Sequence, residues 1–513
     1  MKVLHITRTL PQEMLGPMYL SRAVKNAGHD MRAIALPDPS WLRKIREYAP
    51  DVITWSIMTG NQRPILDLNR LLKRKFEFFS LMGGPHVTFV PDEVKDPDVD
   101  AICIGEGEEM IVELLDALAA GTEWRGIRNL AYCDDGLEVI KNPVRPLVSD
   151  LDALGFPDRD LIYDAQPLYR NSPRKVVVTQ RGCPMSCTFC FHHAWKNKIY
   201  GARNNKYVRK NSVDFIIAQV QDMRARYPLD FVHFLDDIFN LRSDWLAEFC
   251  ERWPREVGLP FDVILMANMT KEEHIAQLKS AGCIYARIAF EAANDYIRNT
   301  IYRKATDRSE LTDASRWIKK YGIRLGSLNM LGAPGGTLED DLETVRLNVE
   351  CEVDHPLCSI VQPYPEFELN DITRNMGIAV ARYDQFPSQF NRESSIEVED
   401  KVAIENLHKW FPILVRNPRL IPLAQRTIGK SFMKKPLLWM YMLYSEWLVT
   451  EQNALYNRAQ GNRGFGTVPV VDFSRRVVSK GFVRLLSLAG AKVVNRMAMR
   501  LQMGDERVVA HMD

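Results

Sequence analysis

The sequence carries almost no net charge and no long apolar run. Its 67 lysines and arginines nearly balance its 65 aspartates and glutamates, which leaves a formal charge of +2. No global field therefore directs the chain to nucleic acid. An uninterrupted run of about 18 apolar residues, the minimum for a membrane-spanning helix, does not occur. The opening MKVLHITRTL lacks the long apolar core of a secretory signal, so we expect a cytoplasmic protein.

Cysteines are few and their number is odd. Nine in 513 residues, without a secretory signal, are typical of a reducing compartment rather than a disulfide framework. Three of them, Cys183, Cys187 and Cys190, follow the pattern C-x3-C-x2-C. Four thiolates normally hold a [4Fe–4S] cluster, and three would leave one iron open to another ligand. A zinc site would need a fourth ligand, which His192 or His193 could supply, so the spacing alone leaves both metals open.

Strand-like runs recur around this cysteine loop. KVVVTQ at 175–180 is a short β-branched run that predicts a buried strand directly before the cysteines. Further apolar runs alternate with amphipathic stretches that predict helices. These runs lie at 230–235, 261–267, 284–290, 323–330 and 358–363. Six β-then-α units predict a partial (βα)6 barrel, and active sites of such barrels lie at the carboxyl ends of the strands, where the cysteine loop falls.

A C-x3-C-x2-C loop after the first strand of a (βα)6 barrel resembles the radical S-adenosylmethionine (SAM) superfamily. The resemblance implies that Cys183, Cys187 and Cys190 bind a [4Fe–4S] cluster whose open iron binds SAM. It also implies that reduction of the cluster cleaves SAM to a 5′-deoxyadenosyl radical, with an electron donor such as flavodoxin or ferredoxin as a partner. The alternative from another class is a non-catalytic zinc or iron–sulfur binding protein.

Three further positions match SAM-binding positions of the same superfamily. Phe189, directly before the third cysteine, matches the aromatic residue that lies near the adenine. FLDD ends the second strand and implies that Asp236 or Asp237 holds the amino group of SAM. This segment departs from the commoner Gly-Gly-Glu, so both aspartates remain candidates. FEAAND ends the fourth strand and implies a polar contact from Glu291.

A glycine-rich segment follows the fifth strand. NMLGAPGGTLEDD at 329–341 resembles the superfamily segment whose backbone passes close to SAM, which implies roles for Gly332, Gly335 and Gly336. Each match alone has a structural explanation, since an aspartate can cap a helix and a glycine can serve a turn. Their order at successive strand ends favours the SAM-binding interpretation.

Residues 1–145 alternate apolar strands with helices, which predicts a doubly wound Rossmann-like domain. The segments at 15–30, 56–62, 83–94 and 99–109 resemble the cobalamin (B12)-binding domain that is fused to many radical SAM enzymes. The resemblance implies cobalamin as a further cofactor, held at strand ends. The candidate contacts are Ser56, Thr59, Gly83, Gly84 and Gly105.

The cobalt-ligating segment D-x-H-x-x-G does not follow the first predicted strand. His29 follows the first helix and His86 a later turn, so neither occupies that position. We therefore expect backbone and pocket contacts, rather than a histidine below the cobalt, to hold cobalamin. The alternative is a domain that keeps the fold and only shapes the substrate pocket.

The remaining chain is predicted to connect and extend these units. Residues 146–170 are expected to link the first domain to a barrel at 171–370, and residues 371–513 are expected to be mainly helical. Within this C-terminal region, the stretch 473–503 places basic residues at i,i+4 steps beside valine, leucine and phenylalanine. Such a helix would make peripheral contact with an anionic membrane or a lipid-like substrate, or pack its apolar face on the barrel.

Together, the residues and the resemblance predict a cobalamin-dependent radical SAM enzyme. A primary carbon radical abstracts hydrogen from unactivated C–H bonds, so we expect methylation of such a carbon in a small-molecule or lipid-like substrate. The alternative within the superfamily is cyclisation or another radical rearrangement without methyl transfer.

Overall fold

Two β-sheets organise the chain, and in each of them helices connect successive parallel strands. The computed structural model describes residues 1–8, 13–134, 138–201, 206–382, 385–387 and 393–459. The first sheet lies in the N-terminal part of the chain and the second sheet curls as a partial barrel behind the cysteine loop. The α/β fold class predicted from the sequence is confirmed.

The N-terminal sheet has seven strands. They are β1 (Lys2–Arg8), β2 (Asp30–Leu36), β3 (Val52–Ser56), β4 (Phe79–Gly83), β5 (Ala101–Cys103), β6 (Leu130–Asp134) and β7 (Glu138–Lys141). The order is β2-β1-β3-β4-β5-β6-β7, with β1 to β5 parallel and β6 and β7 antiparallel. The helices between them are α1 (Leu15–Asn26), α2 (Trp41–Tyr48), α3 (Gln62–Lys73), α4 (Pro85–Phe89) and α5 (Glu108–Ala120). Strand β1 is buried over five consecutive residues, as expected for a sheet that is covered by helices on both faces.

The second sheet has six parallel strands in chain order. They are β8 (Arg174–Val177), β11 (Phe231–Phe234), β12 (Phe261–Leu265), β13 (Cys283–Glu291), β14 (Arg324–Leu331) and β15 (His355–Ile360). The two-residue strands β9 (Gln180–Arg181) and β10 (Arg209–Lys210) form an antiparallel ribbon beside the cysteine loop. The predicted partial (βα)6 barrel is therefore confirmed.

Helices surround the barrel and continue into the C-terminal region. They are α6 (Asp160–Ala165), α7 (Pro167–Asn171), α8 (Phe191–Trp195), α9 (Val213–Arg226), α10 (Ser243–Glu256), α11 (Glu272–Ser280), α12 (Arg308–Lys320), α13 (Leu338–Glu350), α14 (Glu368–Asn375), α15 (Lys401–Arg416), α16 (Ile421–Thr427) and α17 (Lys434–Ala459). Local sequence sets some of these boundaries: Asp307 with Glu310 and Thr337 with Asp340 form capping boxes that begin α12 and α13.

The C-terminal part that the structure describes is helical. None of the described helices has the length and apolar character that crossing a membrane requires. The basic amphipathic stretch at 473–503 lies outside the described residues.

A buried ion pair ties the N-terminal sheet to the barrel. Glu13 lies in the connection from β1 to α1, and its Oε2 accepts hydrogen bonds from Arg159 Nη1 at 2.7 Å and Tyr163 Oη at 2.8 Å. Its Oε1 accepts a hydrogen bond from the backbone N–H of Val176 in β8 at 3.2 Å. The side chains of Glu13 and Arg159 are almost fully buried. Nearby, Asp158 accepts hydrogen bonds from two side chains of α1, so the segment before the barrel is fastened to the first domain.

We expect Glu13→Ala to lower the free energy of unfolding by about 3–5 kcal/mol, because it leaves the Arg159 guanidinium buried without its carboxylate. Calorimetry should show the loss as a lower Tm or as separate unfolding of the two units. Glu123→Ala is the control, since Glu123 and its partner Arg125 are mostly exposed, and it should change stability by less than about 0.5 kcal/mol. Equal thermograms for the two variants would show that the buried pair does not couple the units.

Candidate functional site

The cysteine loop leaves the carboxyl end of the first barrel strand. Cys183 and Cys187 are buried and Cys190 is partly buried. Gly182, just before the loop, has a φ of +87°, and an added Cβ would collide with the backbone carbonyl of Tyr207. A glycine is therefore required here, because the loop backbone and the approach to β10 run in close contact.

The three thiols lie close enough to influence one another. Burial raises the pKa of Cys183 to about 11 and, together with the charges of Asp237, Cys187 and Cys183, that of Cys190 to about 12. Three thiolates in so dry a site need a cationic partner, and bound iron deprotonates a coordinating thiol. The donor set therefore fits an iron–sulfur cluster with three protein ligands.

The two histidines that could complete a zinc site are engaged elsewhere. His192 Nε2 is 2.8 Å from Asp237 Oδ2, and its Nδ1 is 2.9 Å from Tyr207 Oη. His193 Nε2 is 2.9 Å from Glu368 Oε2. These hydrogen bonds occupy both imidazoles with Asp237, Tyr207 and Glu368, so neither is offered as the fourth ligand that the zinc alternative requires. Across the described ranges, no group of three or more histidine, cysteine, aspartate or glutamate side chains converges to hold a metal ion, the three loop cysteines included, so the cluster assignment rests on their spacing and burial.

The two aspartates after β11 have different surroundings. Asp236 is buried, and its Oδ1 accepts hydrogen bonds from the backbone N–H groups of Thr179 at 2.7 Å and Gln180 at 2.9 Å. Its Oδ2 accepts a hydrogen bond from Thr179 Oγ1 at 3.0 Å. The side chain of Asp237 is 53% exposed, although it also meets His192. Asp236 thus braces the chain that leads into the cysteine loop, whereas Asp237 presents a carboxylate at the strand end.

Glu291 forms a buried ion pair at the end of β13. It follows an irregularity in the pairing of β13 with β14 and has a φ of +62°, which turns its side chain out of the regular alternation. Its Oε1 accepts a hydrogen bond from Lys304 Nζ at 3.2 Å. Burial alone would lower the pKa of Lys304, but the charges of Glu291 and Cys187 outweigh it and the pKa is raised.

Lys304 is a site residue that sequence reasoning missed. Its neighbours Arg303 and Ala305 both have positive φ, so the backbone is contorted around it. The buried guanidinium of Arg298 holds this loop by donating hydrogen bonds to the carbonyls of Ala292 and Thr306, at 2.9 and 2.6 Å. From the sequence, a lysine in a polar stretch is expected at the protein surface. The geometry of this loop directs the Lys304 side chain inward instead.

The predicted aromatic and glycine positions meet beside Glu291. Phe189 packs edge-on against Tyr302 with ring centroids 5.3 Å apart, in a cluster with Ala292 and Ala333. Gly332 has a φ of +75°, and its N–H donates to the carboxylate of Asp341. A Cβ at Gly336 would lie 2.9 Å from Ile297. Segments far apart in sequence thus converge on the carboxyl ends of the strands.

The cobalamin candidates converge at the carboxyl ends of β3, β4 and β5. Gly84 has a φ of +98°, and an added Cβ would lie 2.8 Å from backbone atoms of Ile57 and 3.1 Å from Ser56 Oγ. Gly83 pairs with Ser56 across the sheet. Gly105, with a φ of +86°, lies at the end of β5 against Tyr200 of the barrel half.

His29 and His86 are both held away from a ligand at these strand ends. Thr59 Oγ1 is 3.0 Å from Nδ1 of buried His86, whose Nε2 is 3.1 Å from Glu93 Oε1. His29 precedes β2 at the opposite edge of the sheet, where it meets the N-terminal amine and Asp116. This arrangement agrees with the missing D-x-H-x-x-G segment.

Two arginines beside the cysteine loop contact Glu106 and Glu108, which follow β5 of the N-terminal sheet. Arg209 of β10 makes a two-pronged contact with Glu106, with Nη1–Oε2 and Nη2–Oε1 distances of 3.0 and 2.8 Å. Arg181 of β9 donates to Glu108 Oε1 at 2.6 Å and lies 3.3 Å from Glu106 Oε1. The backbone N–H of Glu106 also donates to Tyr200 Oη at 3.2 Å. The ends of the two sheets are therefore held against each other.

The inner face of the barrel is apolar and partly open. Along β13, Ala286, Ile288 and Phe290 belong to the hydrophobic core, so the alternate residues face the interior. On β14 and β15 that interior face carries Leu328 beside Leu357 and Met330 beside Ser359. These residues are partly exposed, and Leu357 is 49% exposed although it lies within a barrel strand. Below them, Asp262 pairs with His233 and Arg287.

Comparisons with known proteins agree with this geometry. The family model of the radical SAM superfamily matches residues 177–347, and the model of the B12-binding domain matches residues 1–115. An uncharacterized methyltransferase of Pyrococcus horikoshii is 29% identical over 361 residues, which are 68% of this chain and 76% of that protein. The anaerobic magnesium-protoporphyrin IX monomethyl ester cyclase of Cereibacter sphaeroides is 25% identical over 371 residues, 68% of this chain and 58% of the cyclase.

A solved structure has the same fold. It is the cobalamin-dependent SAM radical enzyme OxsB with aqua-cobalamin and SAM bound, at 15% identity and a TM-score of 0.64, covering 96% of this chain and 81% of OxsB. The chain therefore carries a radical SAM domain at 177–347 and a B12-binding domain at 1–115.

Proposed function

We propose that this enzyme is a cobalamin-dependent radical SAM methyltransferase that acts on an unactivated carbon of an apolar, small-molecule or lipid-like substrate. The observation that carries the proposal is the docking of the turn Gly105–Glu108 onto Arg181 and Arg209. These two arginines flank the cysteine loop. Residues suited to cobalamin and residues suited to SAM therefore lie at one junction.

The chain's own residues bind and orient SAM in this proposal. Cys183, Cys187 and Cys190 would hold the cluster, which would supply the electron for SAM cleavage, and the strand ends of the N-terminal sheet would hold cobalamin as the source of the methyl group. Asp237 and Glu291 receive the amino group of SAM, and Lys304 holds the Glu291 carboxylate in place. Asp236 acts as a positioning residue, because its carboxylate is already bound by the chain before the loop.

The barrel interior favours an apolar substrate. Leu328, Met330 and Leu357 present hydrocarbon surface to the partly open inner face, so a substrate that fills it would exclude water. Exclusion of water and of competing hydrogen donors protects a carbon radical until it reacts. The electrons would come from a small low-potential protein of the flavodoxin or ferredoxin type.

Cyclisation without methyl transfer is the second candidate. The similarity to the magnesium-protoporphyrin cyclase favours it. Methyl transfer consumes one SAM as the radical source and a second SAM as the methyl donor, with two electrons for each methylated product. Cyclisation would release 5′-deoxyadenosine without a matching amount of S-adenosylhomocysteine, and the product ratio therefore separates the two reactions.

We expect anaerobic reconstitution with iron, sulfide and hydroxocobalamin to yield about four irons and one cobalt per chain. SAM carrying a labelled methyl group should then give equal amounts of 5′-deoxyadenosine and S-adenosylhomocysteine with a suitable acceptor. Iron without cobalt would contradict methyl transfer and leave the N-terminal domain as part of the pocket wall. Zinc in place of iron would overturn the enzyme assignment of the cysteines.

Replacing Cys183, Cys187 or Cys190 with alanine should abolish iron loading and SAM cleavage, because a cluster with three protein ligands cannot lose one of them and keep its open iron. Iron content and 5′-deoxyadenosine formation provide the measurement. The control is Cys250→Ala, which removes an equally buried thiol from helix α10 and should leave both quantities unchanged. A loop variant that still forms 5′-deoxyadenosine would refute the assignment.

Glu291→Gln and Asp237→Asn should each weaken SAM binding by roughly tenfold to a hundredfold, since each removes the charge from a carboxylate that accepts from the amino group. Equilibrium dialysis on iron-loaded protein measures this, with iron content unchanged. Glu339→Gln, on the exposed first turn of α13, is the matched control and should bind SAM normally. Normal affinity in Glu291→Gln would remove that residue from the site.

A further inference from the structure

The outer part of the C-terminal region carries a local excess of positive charge. Between residues 406 and 445 the chain contains seven lysines and arginines and no aspartate or glutamate, and Glu405 of α15 and Glu446 of α17 bound this stretch. Five of these basic side chains are exposed: Arg419, Arg426, Lys430, Lys434 and Lys435. The chain as a whole is almost neutral at +2, so this concentration of charge is local.

These helices form a layer over α15. Residues 403–415 of α15 are buried, since the helix packs on β15 and α13 on one side. On its other side, Lys434 pairs with Glu405, the Tyr441 ring meets His408, and Arg416 lies over the Trp447 ring. Helix α17 therefore runs alongside α15 in the same direction.

The segment that contains α16 connects the end of α15 to the start of α17 and runs back alongside α15. The Asn406 side-chain amide donates to the backbone carbonyls of Ile428 and Lys430, so the chain comes back from the end of α15 to its beginning. The segment 417–447 is therefore an outer layer with α15 beneath it. The exposed basic residues lie on this outer layer.

The same layer exposes large apolar side chains. Eight large hydrophobic residues are exposed in the part of the chain that the structure describes, and four of them fall within 423–447. They are Leu423, Phe432, Leu443 and Trp447. Phe432 is 71% exposed and stands between Lys430 and Lys434. Exposed apolar side chains close in sequence to exposed basic ones are typical of interaction surfaces, and aromatic residues flanked by lysine suit the interface of a membrane.

We infer that the layer 417–447 docks on the surface of an anionic lipid membrane. Phe432, Leu423 and Trp447 reach the boundary between headgroups and acyl chains, and the basic side chains lie against the lipid phosphates. The positive charge of the layer favours an anionic membrane as its binding partner. The remaining residues 460–513 contain nine basic and four acidic residues, so their net charge has the same sign as that of the layer, whereas an anionic membrane has the opposite sign.

This inference is independent of the reaction that the enzyme catalyses. It assigns a contact face distinct from the stretch 473–503 that the sequence singled out. It also adds a peripheral membrane location to a chain whose described helices are unable to span a membrane.

The test is co-sedimentation of the full chain with vesicles. The protein should sediment with equal mixtures of phosphatidylglycerol and phosphatidylcholine and remain in solution with phosphatidylcholine alone. Binding should fall as the salt concentration rises, because the attraction is screened. The triple variant Arg426→Glu, Lys430→Glu, Lys435→Glu should bind at least about tenfold more weakly, since each basic residue near such a surface contributes a several-fold factor.

Two matched controls locate the contact. Arg74→Glu, Lys75→Glu, Lys141→Glu makes the same charge change on exposed residues of the N-terminal domain and should bind like the unaltered protein. Phe432→Ser should weaken binding, whereas Met376→Ser, at another exposed apolar residue, should leave it unchanged. The inference is overturned if the unaltered protein fails to sediment with anionic vesicles. It is also overturned if the Arg426, Lys430 and Lys435 variant binds as well as its control, which would move the contact to another surface such as 473–503.

Discussion

The contact of Glu106 and Glu108 with Arg209 and Arg181 is the interaction on which the architecture depends. Each parallel sheet directs its carboxyl ends at the other, and ligands of such sheets bind at those ends. Charge pairs that are largely shielded from water hold the two ends together. Burial alone would raise the pKa of Glu106, but Arg209 and Arg181 outweigh this effect, so the pKa is lowered and the carboxylate stays ionised. This contact places the carboxyl ends of the two sheets side by side, and the Glu13–Arg159 pair fastens the two units at a second place.

Buried charge also organises the cysteine loop. Asp236 binds the chain before the loop, Glu291 pairs with Lys304, and Arg298 ties the loop around Lys304 to the end of β13. Buried ions are costly unless every partner is in place, so these pairs favour a single arrangement of the loop. The positive φ angles of Glu291, Arg303 and Ala305 are strained positions of the kind that occur at binding sites.

Much of the fold was predictable because it rests on local pattern. The apolar runs before the cysteines and at 284–290 and 323–330 became β8, β13 and β14. The candidate site was predictable only where a motif marked it. Lys304, Arg298 and Tyr200 have no motif, since a lone basic or aromatic residue in a polar stretch looks the same whether it faces solvent or a buried loop. The same holds for Glu13, whose partner Arg159 is far away in the chain.

By itself, the sequence determined the α/β class, the order of the two domains, and the triplet of Cys183, Cys187 and Cys190, because periodicity and close spacing are properties of neighbouring residues. Only the tertiary structure showed that Asp236 is bound by the chain before the loop while Asp237 is half exposed, that His192 and His193 contact Asp237, Tyr207 and Glu368, and that the outer C-terminal layer exposes both basic and apolar side chains. These features depend on which distant segments pack together, and on the burial that follows from that packing. Burial and long-range pairing are absent from any short window of sequence.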